Sequence, residues 1–216
     1  MNAKTAHWYF DLISPYSYLH LKRFGELPPT LEIEYVPVLF AGMLKHWEHK
    51  GPAEIPAKRI FTYRHVTWLA GHLGIPFKVP PAHPFNPLHA LRLLTAAGPT
   101  RQNVETAFDM TWKEGSDMQD PENLRELAAR LHIKDTAAAL ADESVKARLK
   151  ANTDAAIAEG VFGVPTFLVG EMLFWGQDSL EMMQDYLKDP AAFDTAEMSR
   201  AASLPVGTAR REVSKP

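Results

Sequence analysis

The segment Ser14-Pro15-Tyr16-Ser17 limits the fold more than any other part of this chain. It follows the apolar run from His7 to Ile13 and opens an apolar-periodic stretch at Tyr18, Leu19, Leu21 and Phe24. Such a run followed by Ser-Pro reads as strand, tight turn and helix. Serine is a favoured N-cap, and proline suits the first helical position, where its missing N–H costs nothing. Residues 7–12 are therefore expected as a strand and 15–26 as a helix. Pro28 and Pro29 end the pattern, and Leu31 to Val36 alternates apolar and polar residues, as a second strand does. Strand, helix and strand in one short stretch make a βαβ unit, with a parallel pair and a right-handed crossover.

From residue 40 to 160 the periodicity is helical. Helices are expected over 60–73, 86–97, 102–112, 121–131 and 142–160, with Gly74, Gly98 and Gly160 as stops. Gly163 to Gly176 then reads as a β-hairpin and Ser179 to Leu187 as a last helix. The expected fold class is α/β: a βαβ…ββα sandwich from residues 1–38 and 161–188, with a large all-helical insertion over 39–160. Residues 189–216, rich in Ala, Ser, Pro and charge, are expected as a weakly ordered tail that packs on a neighbouring subunit.

With 216 residues the chain can bury one core plus an insertion. Its 23 basic and 26 acidic residues give a net charge of −3, which offers no basic surplus for nucleic acid or an anionic membrane. No apolar run approaches the ~20 residues of a membrane span, and the N-terminus shows no signal-peptide pattern. There is no cysteine, so structural disulfides and protein-based thiol redox chemistry are excluded. The expected compartment is the cytoplasm.

Ser14 can simply cap a helix. The same position also offers free N–H groups and the positive end of a helix dipole, which stabilise an anion such as a thiolate. No histidine is placed by a motif to make a Ser-His-Asp reading. Val164-Pro165 reads either as a proline opening an edge strand or as a cis bond facing the Ser14 turn. Gly176-Gln177-Asp178-Ser179 reads either as an N-cap box, with Asp178 capping and Glu181 three residues on, or as a pair of ligand-facing polar groups. The stretch around His46, Trp47 and His49, with Lys58 and Arg59 beyond, fits a basic loop that meets a carboxylate better than it fits a metal site. His83-Pro84-Phe85-Asn86 is a proline-constrained loop in which Asn86 caps a helix or faces a pocket.

Taken together these motifs resemble the 2-hydroxychromene-2-carboxylate isomerases, which have a DsbA-like thioredoxin fold and are related to kappa-class glutathione transferases. The residues that carry the resemblance are Phe10-Asp11, Ser14 to Leu19, Pro52 to Lys58, Leu73 to Phe77, His83 to Asn86, Ala90 to Arg92, Gly163 to Phe167 and Phe174 to Asp178. In that fold the two serines of Ser14-Pro15-Tyr16-Ser17 stand where a Cys-x-x-Cys redox pair would, so the thiol would come from a bound small molecule.

The resemblance implies a glutathione site. Ser14 would hold the sulfur and lower its pKa, with Pro15 and Tyr16 beside it, and Val164, before Pro165, would pair its backbone with the cysteinyl unit. Gln177 and Asp178 would bind the γ-glutamyl end, while His49 and Lys58 would lie near the glycine end or the substrate acid. The implied reaction is reversible addition of the thiolate to an unsaturated aromatic carboxylic acid, with Asn86, Trp47 and Phe85 on the substrate side and Phe61 and Trp68 extending the apolar face. A homodimer is also implied. Two other readings stay open: a kappa-like glutathione transferase and a non-catalytic binding protein. The family often carries Asn at position 49, Asp at 65 and Arg at 179; here these are His49, His65 and Ser179.

Overall fold

The computed structural model describes residues 4–208. Four strands form one sheet in the order β2-β1-β3-β4: β1 (Lys4–Phe10), β2 (Leu31–Pro37), β3 (Thr166–Val169) and β4 (Met172–Trp175). β1 and β2 are parallel, joined through α1 (Pro15–Lys22), while β3 runs antiparallel to both β1 and β4. This is the expected βαβ…ββα order. β1 is central and covered on both faces, so it is apolar without interruption from Trp8 to Phe10, as a doubly buried strand must be. Trp8 and Phe10 meet Phe108, and Trp8 also meets His20, Phe24 and Phe167. Tyr9 faces the other way, into a cluster with Val38, Met43, Val161, Val164 and Leu168.

Between β2 and β3 lie α2 (Phe40–His46), α3 (Pro56–His72), α4 (Leu88–Ala97), α5 (Arg101–Phe108), α6 (Pro121–Arg130), α7 (Thr136–Ala141) and α8 (Glu143–Ala158). The helix expected over 102–112 does not run through. After Phe108 the backbone widens into a π-helical turn, Asp109–Lys113. A π turn changes the angular position of every side chain after it, and here it carries buried Trp112, whose indole N–H donates to the Leu12 carbonyl at 2.8 Å.

The chain divides into two compact units, 1–180 and 181–216. The first holds the sheet and the helical block together, and it contains every candidate site residue. The second begins with all but the first residue of α9 (Leu180–Lys188). The tail expected to be weakly ordered is helical over part of its length, in a 3₁₀ turn Pro190–Phe193 and in α10 (Ala196–Ala202). Thr195 caps α10 by accepting the Met198 N–H, and Asp189 caps the turn by accepting that of Ala191. Short polar residues at these two starts explain the difference. Residues 1–3 of the expected first domain and 209–216 of the expected tail lie outside the described residues.

Candidate functional site

β1 ends at Phe10, and the next three residues are held from every side. The Ser14 N–H donates to the Asp11 carbonyl at 3.0 Å, closing the turn. Trp112 donates to the Leu12 carbonyl, and His83 Nε2 donates to the Ile13 carbonyl at 2.9 Å. The Asp11 side chain accepts the Ile13 N–H at 3.0 Å and the Phe40 N–H at 2.9 Å, one on each oxygen. The turn that presents Ser14 is therefore fixed by groups from α2, the π turn and the 83–85 loop. Asp11 and His83 stand within the sequence motifs above without an expected role. Their signal was position: an acid at the end of a buried strand, and a histidine before a proline.

Ser14 is the N-cap of α1. Its Oγ accepts the Ser17 N–H at 3.2 Å, and Pro15 occupies N1. Capping and an open role coexist, because accepting that bond leaves the hydroxyl hydrogen to be donated elsewhere. Ser17, one turn on, is fully buried, with no hydrogen-bond partner for its hydroxyl among the described residues; it lines neither cavity.

Ser14 lines a cavity of about 460 Å³. The walls are Ile13, Pro15 and Tyr16 from the turn, Phe40, Ala41 and Leu44 from α2, Gly51 to Glu54 and Thr62, the 83–87 loop, and Val164. A second cavity of about 370 Å³ adjoins it, lined by Pro165, Trp175, Gly176, Gln177, Asp178 and His65. Tyr16 and Val164 line both, so the two open around the same turn. The Val164-Pro165 peptide is cis, as is His83-Pro84. Val164 lies just before the paired part of β3, whose first partner is Tyr9 opposite Thr166. Its backbone is thus outside the sheet ladder, where an extended ligand could pair with it.

The charges of the site are shaped by burial. Asp11 is 1% exposed, and desolvation raises its pKa to about 7 against the pull of its two backbone donors. Burial also lowers the pKa of His83, which keeps the ring neutral, while its Ile13 bond opposes the shift. Tyr63 Oη sits 2.9 Å from His83 Nδ1 and 2.7 Å from the His83 carbonyl, so both ring nitrogens face protein. Tyr16 Oη lies 2.9 Å from His65 Nδ1, and burial together with the Asp178 charge raises the pKa of Tyr16. In the second cavity the Gln177 side-chain carbonyl accepts from Arg23 at 3.2 Å, which directs its amide N–H₂ elsewhere. Asp178 sits in a 3₁₀ turn, Gln177–Ser179, entered through Gly176 at φ +89°. A Cβ at Gly176 would collide with Asp178 Oδ1, so glycine is needed both for the backbone and for the approach of that carboxylate.

Of the residues picked out from sequence, Ser14, Pro15, Tyr16, Phe85, Asn86 and Val164 line the first cavity. Tyr16, Val164, Pro165, Gln177 and Asp178 line the second. Trp47, His49 and Lys58 line neither. α2 turns Phe40, Ala41 and Leu44 to the cavity, but the helix stops at His46. Trp47 then reaches away and donates to the Val161 carbonyl at 3.1 Å. His49 follows the left-handed residue Glu48 in an exposed loop, and Lys58 is exposed on the first turn of α3. The expected apolar face is corrected in the same way: Phe61 and Trp68 are 66% and 61% exposed and sit outside the cavity, leaving Phe85 alone of the four.

Comparison with known proteins agrees with this architecture. The family described as DSBA-like thioredoxin domain matches residues 5–188. A 2-hydroxychromene-2-carboxylate isomerase of Pseudomonas putida is 30% identical over 186 residues, covering 82% of this chain and 91% of that protein. Glutathione S-transferase kappa 2 of Caenorhabditis elegans is 29% identical over 211 residues, covering 88% and 94%. The solved structure of a 2-hydroxychromene-2-carboxylate isomerase superposes with a TM-score of 0.74 at 23% identity, covering 90% of this chain and 98% of that one. The chain belongs to the DsbA-like thioredoxin family, in the branch that holds the 2-hydroxychromene-2-carboxylate isomerases and the kappa-class glutathione transferases.

Proposed function

We propose that this protein is a glutathione-dependent isomerase that acts on a conjugated, aromatic-sized electrophile. The observation that carries the reading is the position of Ser14. Its hydroxyl caps α1, keeps a hydrogen to donate, and lines the first cavity beside Tyr16 and Val164, the two residues shared with the second. The donor set suits glutathione: Asp178 for the ammonium and the Gln177 amide for the carboxylate of its γ-glutamyl end, the Val164 backbone for the peptide, and Ser14 for the sulfur. When bound, glutathione supplies a sulfur nucleophile that adds to a double bond and leaves after rotation about the resulting single bond; the S–C bond made is the bond broken, and nothing is oxidised or reduced. The α1 N-terminus and the Ser14 O–H hold the negative charge at sulfur, which lowers the thiol pKa. The buried turn keeps that donor at fixed geometry, so little reorganisation is needed.

The proposal takes in the thiol mechanism and, as the family resemblance implies, a homodimeric, cytoplasmic enzyme. It does not extend to Lys58 as the group that meets a substrate acid, since Lys58 lines neither cavity. A kappa-like transferase, which releases the conjugate, is the second reading, favoured by the almost wholly apolar wall above Ser14.

Calorimetric titration with glutathione at pH 7.5 tests the proposal. Saturable binding at millimolar or tighter, on the order of −4 kcal/mol or better, that weakens in Asp178→Ala supports it. No heat up to several millimolar sinks it.

A further inference from the structure

The charge of the larger cavity is one-sided. Among the described residues no lysine or arginine lines it, and the carboxyl groups in its wall are Asp11 at the buried end and Glu54 at the rim, where Glu54 Oε1 accepts the Gly51 N–H at 2.6 Å. The one side chain there that could turn cationic is His83. Burial keeps it neutral, and both its nitrogens are taken by Ile13 and Tyr63. The N-terminus of α1 is the remaining positive feature, but Pro15 has no N–H and the Ser17 N–H is spent on Ser14. What is left there serves one anion, the sulfur.

We propose that the cavity over Ser14 admits electrophiles whose inserted part is uncharged and discriminates against the aromatic carboxylates that the family resemblance implies. A carboxylate placed inside would give up water with no cation in the wall to replace it, only Asp11, Glu54 and the charge developing at sulfur; the Arg59 charge reaches Tyr63 behind His83 but lies outside the lining. An unpaired buried charge is among the costliest groups to place. An uncharged aryl group gains instead from contact with Phe40, Leu44, Phe85 and Val164. The proposal deepens the reading above and rests on it for turnover, but the cavity's preference can be read without glutathione.

Binding of naphthalene-2-carboxamide and of naphthalene-2-carboxylate, matched in size, is measured by tryptophan quenching at pH 8. The amide is expected to bind at least about tenfold tighter, the scale of one like charge in a protein cavity. Glu54→Gln, which keeps the oxygen that accepts Gly51, moves the carboxylate's affinity toward the amide's. Lowering the pH to 6, below the raised pKa of Asp11, narrows the gap in the same direction. A carboxylate that binds as tightly as the amide, an amide that does not bind, or a Glu54→Gln variant that weakens the carboxylate each overturns the proposal.

The turnover arm compares glutathione-dependent isomerisation of cis-benzylideneacetone with that of cis-benzylidenepyruvate. Faster turnover of the neutral ketone agrees with the proposal. Preference for the acid, with glutathione dependence intact, overturns this proposal and leaves the isomerase reading standing. Selective amide binding with no glutathione-dependent turnover of either compound does the reverse.

Discussion

The Asp11 carboxyl accepts the Phe40 backbone N–H at 2.9 Å, tying the end of β1 to the first turn of α2. Its other oxygen holds the Ile13 N–H, so one buried acid fixes the turn under Ser14 and the helix that walls the cavity.

That acid makes stability depend on pH. Its pKa rises from an ordinary 3.8 to about 7 on folding, so between those values the folded state holds the proton more tightly. Stability from this group is full below pH 4, falls as pH rises toward 7, and is flat above. The whole span is worth up to ~4 kcal/mol. Urea unfolding of wild type and Asp11→Asn at pH 4.5 and 8 should show the wild type losing ground to the variant by a few kcal/mol. An equal difference at both pH values refutes this.

His20 works in the opposite sense. It is fully buried with Nδ1 accepting from Trp8, and burial, helped by Arg23, lowers its pKa to about 3. The neutral ring contributes stability above the ordinary 6.5, and that stability is lost as pH falls toward 3. At pH 5 the loss is ~2 kcal/mol. The ring protons of His20 should not titrate between pH 5 and 8 by NMR, and a midpoint near 6.5 would contradict its burial.

Ser14→Ala removes a helix cap and a donor to sulfur together. The cap should cost about 1 kcal/mol in thermal or urea unfolding. The donor should cost far more in function, roughly 10²–10³ in kcat for glutathione-dependent turnover. A variant that loses stability but keeps full turnover would reduce Ser14 to a cap.

Gly176→Ala places a Cβ against Asp178 at φ +89°, while Gly170→Ala meets nothing within 4 Å at φ +61°. Both should destabilise by about 1 kcal/mol or more through backbone strain. Only Gly176→Ala should weaken glutathione binding, by several-fold in calorimetry. Equal effects on binding would separate Asp178 from the ligand.

Trp112→Phe deletes the N–H that holds the Leu12 carbonyl but leaves a ring to stack on Phe77, now 5.7 Å away at 7°. An orphaned buried carbonyl costs ~1–3 kcal/mol. The variant should lose that much stability, with hydrogen exchange at Ile13 and Ser14 accelerated; unchanged exchange would show that the turn does not need this prop.

Much of this protein is written locally. Ser14-Pro15 announced a capped helix, Leu31 to Val36 a strand by alternation, and Gly163 to Gly176 a hairpin, because caps, prolines and period-2 patterns act over a few residues. The same locality explains the errors. The 102–112 pattern is helical in spacing, and nothing in it marks the π turn that swings Trp112 onto Leu12. Aromatic residues at Trp47, Phe61 and Trp68 carry no sign of which way they face. Their outward direction follows from where α2 stops and how α3 lies. Local patterning is enough for the βαβ…ββα order, the absence of a protein thiol and the capped turn at Ser14. Long-range packing alone brings Asp11, Phe40, His83 and Trp112, up to 101 positions apart, onto that turn, with no lysine or arginine among the described residues that line the cavity. Burial and long-range hydrogen bonds set those facts, and neither has a sequence period.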